Sequence, residues 1–180
     1  MKKSINVWSF VGKTNREAMK LAKDAGFEGI ELALNATGDL SMESTAEDLA
    51  GLKAYAEELG IKIPSLSSGL CWGDSLTAED PAERQRAHDI VVQQIKCAAA
   101  LGAETVLVVP GSVSVEFVPE RPVVPYDVAY DRALEEIKKL VPVAEEYGVV
   151  LAIENTETDP TGACNLLTQQ EYVELVTTVG

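Results

Sequence analysis

Apolar positions along this chain recur with two periods, one helical and one strand-like, and four times the first gives way to the second in the same manner. Each changeover has an alanine, three further residues, a glycine and then a short apolar run. The copies are Ala22–Gly26 before GFEGIELAL, Ala56–Gly60 before GIKIPSL, Ala98–Gly102 before GAETVLVVP, and Ala144–Gly148 before GVVLAIEN. Each reads as a helix that ends on a left-handed glycine, followed by a buried strand. The pattern predicts strands at Ile5–Phe10, Gly29–Leu34, Ile63–Ser67, Thr105–Val109 and Val149–Glu154. It predicts helices from about Asn15 to Ala25, from just after Ser44 or Thr45 to near Leu59, and from about Pro81 to Leu101, with a fourth from about Asp127 to Tyr147 and a fifth from about Gln169 to Val179. Thr14 with Glu17, and Thr168 with Glu171, have the spacing of capping boxes, and Pro81 suits a first helical turn. Pro142 lies inside the fourth helix and is expected to kink it.

Strictly alternating strands and helices demand parallel strands joined by right-handed crossovers. Two α/β architectures satisfy this: an open doubly wound sheet, and part of a parallel (β/α)8 barrel of the TIM type. No G-x-G-x-x-G follows the first strand and no Walker loop is present, which argues against the nucleotide-binding variants. Residues 1–180 read as one domain of about five βα units. Gly180 falls where a sixth strand is expected, as in the N-terminal part of a barrel.

Composition narrows the functional classes. With 180 residues, 46% of them hydrophobic, the chain can bury a substantial core. No run approaches the roughly 20 apolar residues of a membrane span, and the N-terminus has too short an apolar stretch for a signal peptide, so the cytoplasm is the expected compartment. A net charge of −14 repels phosphate backbones and makes nucleic acid an unsuitable partner, although a few local donors suffice for a small phosphorylated substrate. Cys71, Cys97 and Cys164 are too scattered for a disulfide framework or a CxxC site. His88, the one histidine, lies well inside the third helix and reads as a packed or solvated helix residue, so neither Ser-His-Asp chemistry nor a His-rich zinc site is available.

Candidate chemistry gathers at strand ends. In VVLAIEN, Val149, Leu151 and Ile153 form the larger apolar face, which leaves Val150, Ala152 and Glu154 on the other. Glu154 is thereby directed inward at the C-terminal end of its strand, where a carboxylate suits a divalent-metal ligand or a general base. A strand-end Glu bonded to a neighbouring loop is the plainer alternative. Glu31 has the same logic in GIELAL, opposite Ile30, Leu32 and Leu34, and serves either a ligand or a structural ion pair. Trp8 sits near the end of the first strand and either walls a sugar site or packs in the core. Ser67, Ser68 and Gly69 form a small polar turn after the third strand, with Trp72 in the same loop. Glu157 and Asn165 flank the loop after the fifth strand, where either can contact substrate or, for Asn165, cap a helix.

The segments AKDAGFEGIELAL, ERQRAHDIVVQQIKCAAALGAETVLVVPG and VPVAEEYGVVLAIEN together resemble the xylose-isomerase-like barrel superfamily of sugar and sugar-phosphate isomerases and epimerases, nearest the ketose 3-epimerases of free-sugar and L-ribulose- or L-xylulose-5-phosphate type. The resemblance implies a divalent cation (Mn²⁺, Mg²⁺ or Co²⁺) held by Glu, Asp, His and Glu at the ends of later strands. Glu154 matches the first of these and would also act as one of two acid/base carboxylates flanking a cis-enediolate. The other three ligands belong to strands six to eight, which leaves the site incomplete. Free-sugar epimerases carry a substrate-contacting Glu six residues after the metal Glu; Pro160 stands there, against a tagatose- or psicose-type substrate. Endonuclease IV, in the same superfamily, needs histidines after strands three and four, where this chain has SLSSGL and VLVVPG. The resemblance implies a small sugar or sugar phosphate as partner and a homo-oligomer as assembly. A non-catalytic partial barrel associating through open strand edges, and a flavodoxin-like binding domain with strand order 2-1-3-4-5, remain the alternatives.

Overall fold

The computed structural model describes residues 2–115 and 120–154. Five parallel strands lie side by side in sequential order, β1 (Ser4–Asn6), β2 (Gly29–Leu34), β3 (Ser65–Ser68), β4 (Thr105–Val108) and β5 (Val150–Ile153). Helices α1 (Asn15–Asp24), α2 (Ala46–Leu59), α3 (Pro81–Leu101) and α4 (Tyr126–Tyr147) connect them. Sequential order is the arrangement of a (β/α)8 barrel wall and excludes the 2-1-3-4-5 sheet of a flavodoxin-like domain. The expected fifth helix and the candidates Glu157 and Asn165 lie outside the described residues.

The recurrent glycines act as the pattern predicts. Gly26, Gly60, Gly102 and Gly148 have φ of 84°, 63°, 80° and 66°. The residue after each donates its N–H to the carbonyl of the alanine four residues before the glycine: Phe27 to Ala22, Ile61 to Ala56, Ala103 to Ala98 and Val149 to Ala144, all at 2.9–3.0 Å. This is the six-to-one bond of a Schellman turn. The four alanines are all buried, so the position admits little more than a methyl group.

Register sorts the strand residues into two faces. Leu32, Leu66, Val106 and Leu151 align in one row facing the helices, with Ile30, Val108 and Ile153 on the same side. The opposite face carries Asn6, Glu31, Ser65, Thr105 and Val150 in one row and Ala33, Ser67, Leu107 and Ala152 in the next. Small and polar residues thus predominate on the inner face of the sheet, where Leu107 and Val150 are the larger apolar members, while the helix side holds the hydrophobic core.

The first strand is shorter than its hydrophobic pattern suggests. It ends at Asn6 rather than Phe10, and Val7–Ser9 form a 3-10 turn. Asn6 is the cause: its side-chain oxygen accepts the Trp8 N–H at 2.7 Å and bends the backbone away from β2. The ladder bonds β2 thereby loses are supplied by Asn15, whose carboxamide accepts from Ala33 N and donates to Ala33 O, both at 3.1 Å. Gln94 does the same where β3 and β4 separate, donating to the carbonyls of Leu66 and Leu107 at 2.9 and 3.1 Å. The third strand begins at Ser65, one residue beyond Pro64, and reaches Ser68. Helix α4 continues through Pro142. His88 packs between α3 and α4, with Nδ1 3.2 Å from the buried Glu136 carboxylate.

The two roles of glycine predict opposite effects of alanine. Gly148→Ala adds a side chain at φ 66° and should lower stability by about 1 kcal/mol. Gly51→Ala, inside α2 with only ordinary contact to Arg16, should raise it by about 0.5–1 kcal/mol. Urea denaturation midpoints check both signs.

Candidate functional site at the strand C-termini

All five strands run parallel, so their C-terminal ends open on one side. The backbone of Glu154 still belongs to the sheet, with its N–H bonded to Val108 O at 2.8 Å. Alternation places its side chain on the face of Val150 and Ala152, the inner one. The carboxylate is half-buried, and no donor among the described residues bonds it. It stands at the mouth of the sheet as an acceptor with no donor among the described residues.

Trp8 reaches the same mouth from the 3-10 turn. The residue is 52% exposed, so core packing does not account for it. The ring passes about 4.0 Å from where a Cβ on Gly69 would stand, which places it over the end of β3. Beside it a hollow of about 510 Å³ lies between the β1–α1 and β2–α2 loops, lined by Trp8, Phe10, Lys13, Asn35, Thr37 and Asp39 among others. Asp39 accepts from the N–H groups of Asn15 and Arg16 at 3.3 and 2.8 Å. The start of α1 therefore already carries its anion, and this hollow gains no phosphate site from it.

The remaining candidates have structural engagements. Ser68 is buried on the helix side; its hydroxyl donates to Leu34 O at 3.0 Å and accepts from Leu70 N at 3.2 Å. Ser67 lies on the inner face, fully buried, with its hydroxyl 3.4 Å from Leu32 O. Glu31 is held by two neutral donors, Asn6 Nδ2 at 2.5 Å and Ser65 Oγ at 2.6 Å. No cation pairs with it among the described residues, so the expected ion pair is replaced by a hydrogen-bonded carboxylate. Burial pushes the Cys71 thiol up to about 12, helped by the nearby Asp74 charge, and burial raises Cys97 to about 11. Neither supplies a thiolate near neutral pH.

As a hard oxygen donor, Glu154 suits the divalent cation that the family resemblance implies. One carboxylate is not a site, however. No group of three His, Cys, Asp or Glu side chains able to hold an ion exists among the described residues. These residues alone do not fit the metal.

Sequence reasoning missed the fastening of the loops around the mouth. Thr77, fully buried in the β3–α3 loop, donates its hydroxyl to Ser112 O at 2.7 Å and accepts from Ser112 N at 3.0 Å, in the β4–α4 loop. Ser75 completes its valences at 3.0 Å. Arg132 of α4 donates to the carbonyls of Thr77 and Ala78, and Arg121 pairs with Glu83 at 2.9 Å while donating to Gly73 O. Gly111, at φ 135°, lets Thr77 approach: a Cβ there would stand 2.3 Å from Thr77 Cγ2. The sequence signal was a lone glycine before a serine in a loop, with no periodicity to expose it. Gly111→Ala should part the two loops and cost about 2–3 kcal/mol, read as a fall in Tm of at least about 5 °C. An unchanged Tm would show that the clasp is not needed.

Residues 19–180 match the family described as xylose isomerase-like TIM barrel. Several solved structures share the fold. A D-psicose 3-epimerase, determined in the presence of D-fructose, superposes on the whole chain with a TM-score of 0.79 at 23% identity, with 60% of its own length covered. An L-ribulose 3-epimerase does so with a TM-score of 0.75 at 22% identity, with 58% of its length covered. A 3-keto-D-glucoside 4-epimerase from E. coli has a TM-score of 0.74 at 15% identity, covering 99% of this chain and 65% of its own. The chain thus spans about 60% of the length of these solved structures. No curated protein matches it by sequence. The family match over most of the chain, together with the sequential parallel strands and their small, polar inner face, assigns this chain to the xylose isomerase-like TIM-barrel family.

Proposed function

We propose that this chain forms the N-terminal part of a sugar or sugar-phosphate isomerase or epimerase that moves a proton at the carbon beside a ketose carbonyl. The observation that carries this reading is the inward Glu154 at the end of β5, with its carboxylate unbonded among the described residues. A base must reach a C–H bond, and a carboxylate already committed to a neighbour would do so poorly. Trp8 offers an apolar face for the C–H side of a sugar ring or chain, and Asn35, exposed one residue beyond β2, offers a polar group beside it.

In this reading Glu154 takes the proton or returns it, and it would also be one of several ligands to a divalent cation, the others being supplied from outside the described residues. Such a cation, when bound, would stabilise the negative charge that develops on the carbonyl oxygen. The clasped loops hold the rim of the site in one arrangement before substrate arrives, which limits the ordering cost of binding. The solved relatives named above act on ketoses and a keto-glucoside by their names.

The test follows proton exchange. A ketose incubated in D₂O with Mn²⁺ and a polypeptide whose C-terminal part completes the barrel should gain deuterium beside its carbonyl. Glu154→Gln should slow this by about 10³-fold or more. Retained exchange would remove Glu154 from the chemistry. The 180-residue chain alone should give no exchange above background; robust turnover by it would contradict the need for further ligands.

A further inference from the structure

We propose that Glu31 is a positioning residue for Trp8, acting through the orientation of the Asn6 carboxamide. The inference rests on the reading of Trp8 as a wall of the sugar site, but its geometry is independent of that reading. Asn6, Glu31 and Ser65 are neighbours in one row of the inner face, because Asn6 pairs with Glu31 and Leu32 pairs with Leu66. Each carboxylate oxygen of Glu31 has one short bond, from Asn6 Nδ2 and from Ser65 Oγ. Asn6 Oδ1 in turn accepts the Trp8 amide.

The logic is one of donors and acceptors. A carboxamide has an oxygen end and an NH₂ end of nearly equal shape, and it can present either. An ionised carboxylate only accepts, so Glu31 selects the NH₂ end of Asn6. The oxygen end is then the one left to face Trp8 N, which can only donate. Were Asn6 reversed, its NH₂ would face the Trp8 N–H and its oxygen would face a carboxylate, two repulsive contacts in place of two bonds. Ser65 holds the other oxygen of Glu31 and so fixes the plane of the carboxylate.

This explains why a carboxylate sits in the middle of an otherwise apolar strand with no cation beside it among the described residues. Its charge is offset by charge-assisted bonds to neutral donors. Their consequence is carried to the mouth of the sheet: the bond from Trp8 N to Asn6 caps the 3-10 turn Val7–Ser9, and that turn projects the indole outward over Gly69. Glu31 itself does not have to touch substrate.

Amide hydrogen exchange and side-chain NMR of the chain test the proposal without any assay of turnover. In the wild-type protein the Trp8 amide should be protected, and one Asn6 side-chain amide proton should be shifted downfield by the carboxylate. In Glu31→Gln, whose side chain can offer either end to Asn6, the Trp8 amide should exchange about tenfold faster and its indole signal should move, with β3 and β4 core amides unchanged. An unaltered Trp8 amide and indole would overturn the relay. So would a uniform loss of protection across the core, which marks a merely structural role. If Glu31→Gln does not fold, the wild-type Asn6 side chain decides: amide protons exchanging as freely as those of an exposed asparagine would also overturn it. A failure of Trp8→Ala to weaken ketose binding would instead count against the sugar reading and leave the relay standing.

Discussion

Everything at the mouth of this sheet depends on the hydrogen bond that the residue after each left-handed glycine returns to a buried alanine. That bond ends the helix and sets the angle at which the chain turns back toward the sheet. Repeated four times, it brings each strand in alongside its predecessor and lays down the sequential order. Once the order and register are set, strand alternation decides which side chains face inward. The functional reading of Glu154 is a consequence of that geometry.

The inner face shows a division of labour. Its first row ties up its charge internally, with Glu31 held by Asn6 and Ser65. The residues just beyond the last ladder pairs, Asn35, Gly69 and Glu154, stand at the open end. A floor whose carboxylate is hydrogen-bonded, and a rim whose carboxylate has no donor among the described residues, let a barrel hold its shape while presenting a reactive group. The buried Thr77 clasp extends this to the loops, since it ties the β3–α3 connection to the β4–α4 connection.

Much of this was legible in the sequence because it followed a period. The αL glycines, the strand faces and the inward Glu154 all come from residues repeating at intervals of two, or at the four-residue spacing of Ala-x-x-x-Gly. What escaped was aperiodic. The apolar run through Val7 and Trp8 looks like strand, and only the side chain of Asn6 diverts it. Asn15 and Gln94 replace ladder bonds across 18 and 28 residues of sequence, a substitution that no local pattern announces. Glu31 read correctly as inward, but its partners depend on register between three strands, which the sequence of any one of them does not contain. Glu157 and Asn165 lie beyond the described residues.

The central claim is that the inward carboxylate of Glu154 marks the metal-assisted chemical end of the sheet. Paramagnetic broadening by Mn²⁺ tests it most directly, because even weak occupancy erases nearby amide signals. Titrated into a ¹⁵N-labelled polypeptide whose C-terminal part completes the barrel, Mn²⁺ should first broaden the amides of Val109, Ile153 and Glu154, and Glu154→Gln should abolish that effect. Broadening confined to exposed acidic helix surfaces such as that of Glu135, and indifferent to the substitution, would contradict the account.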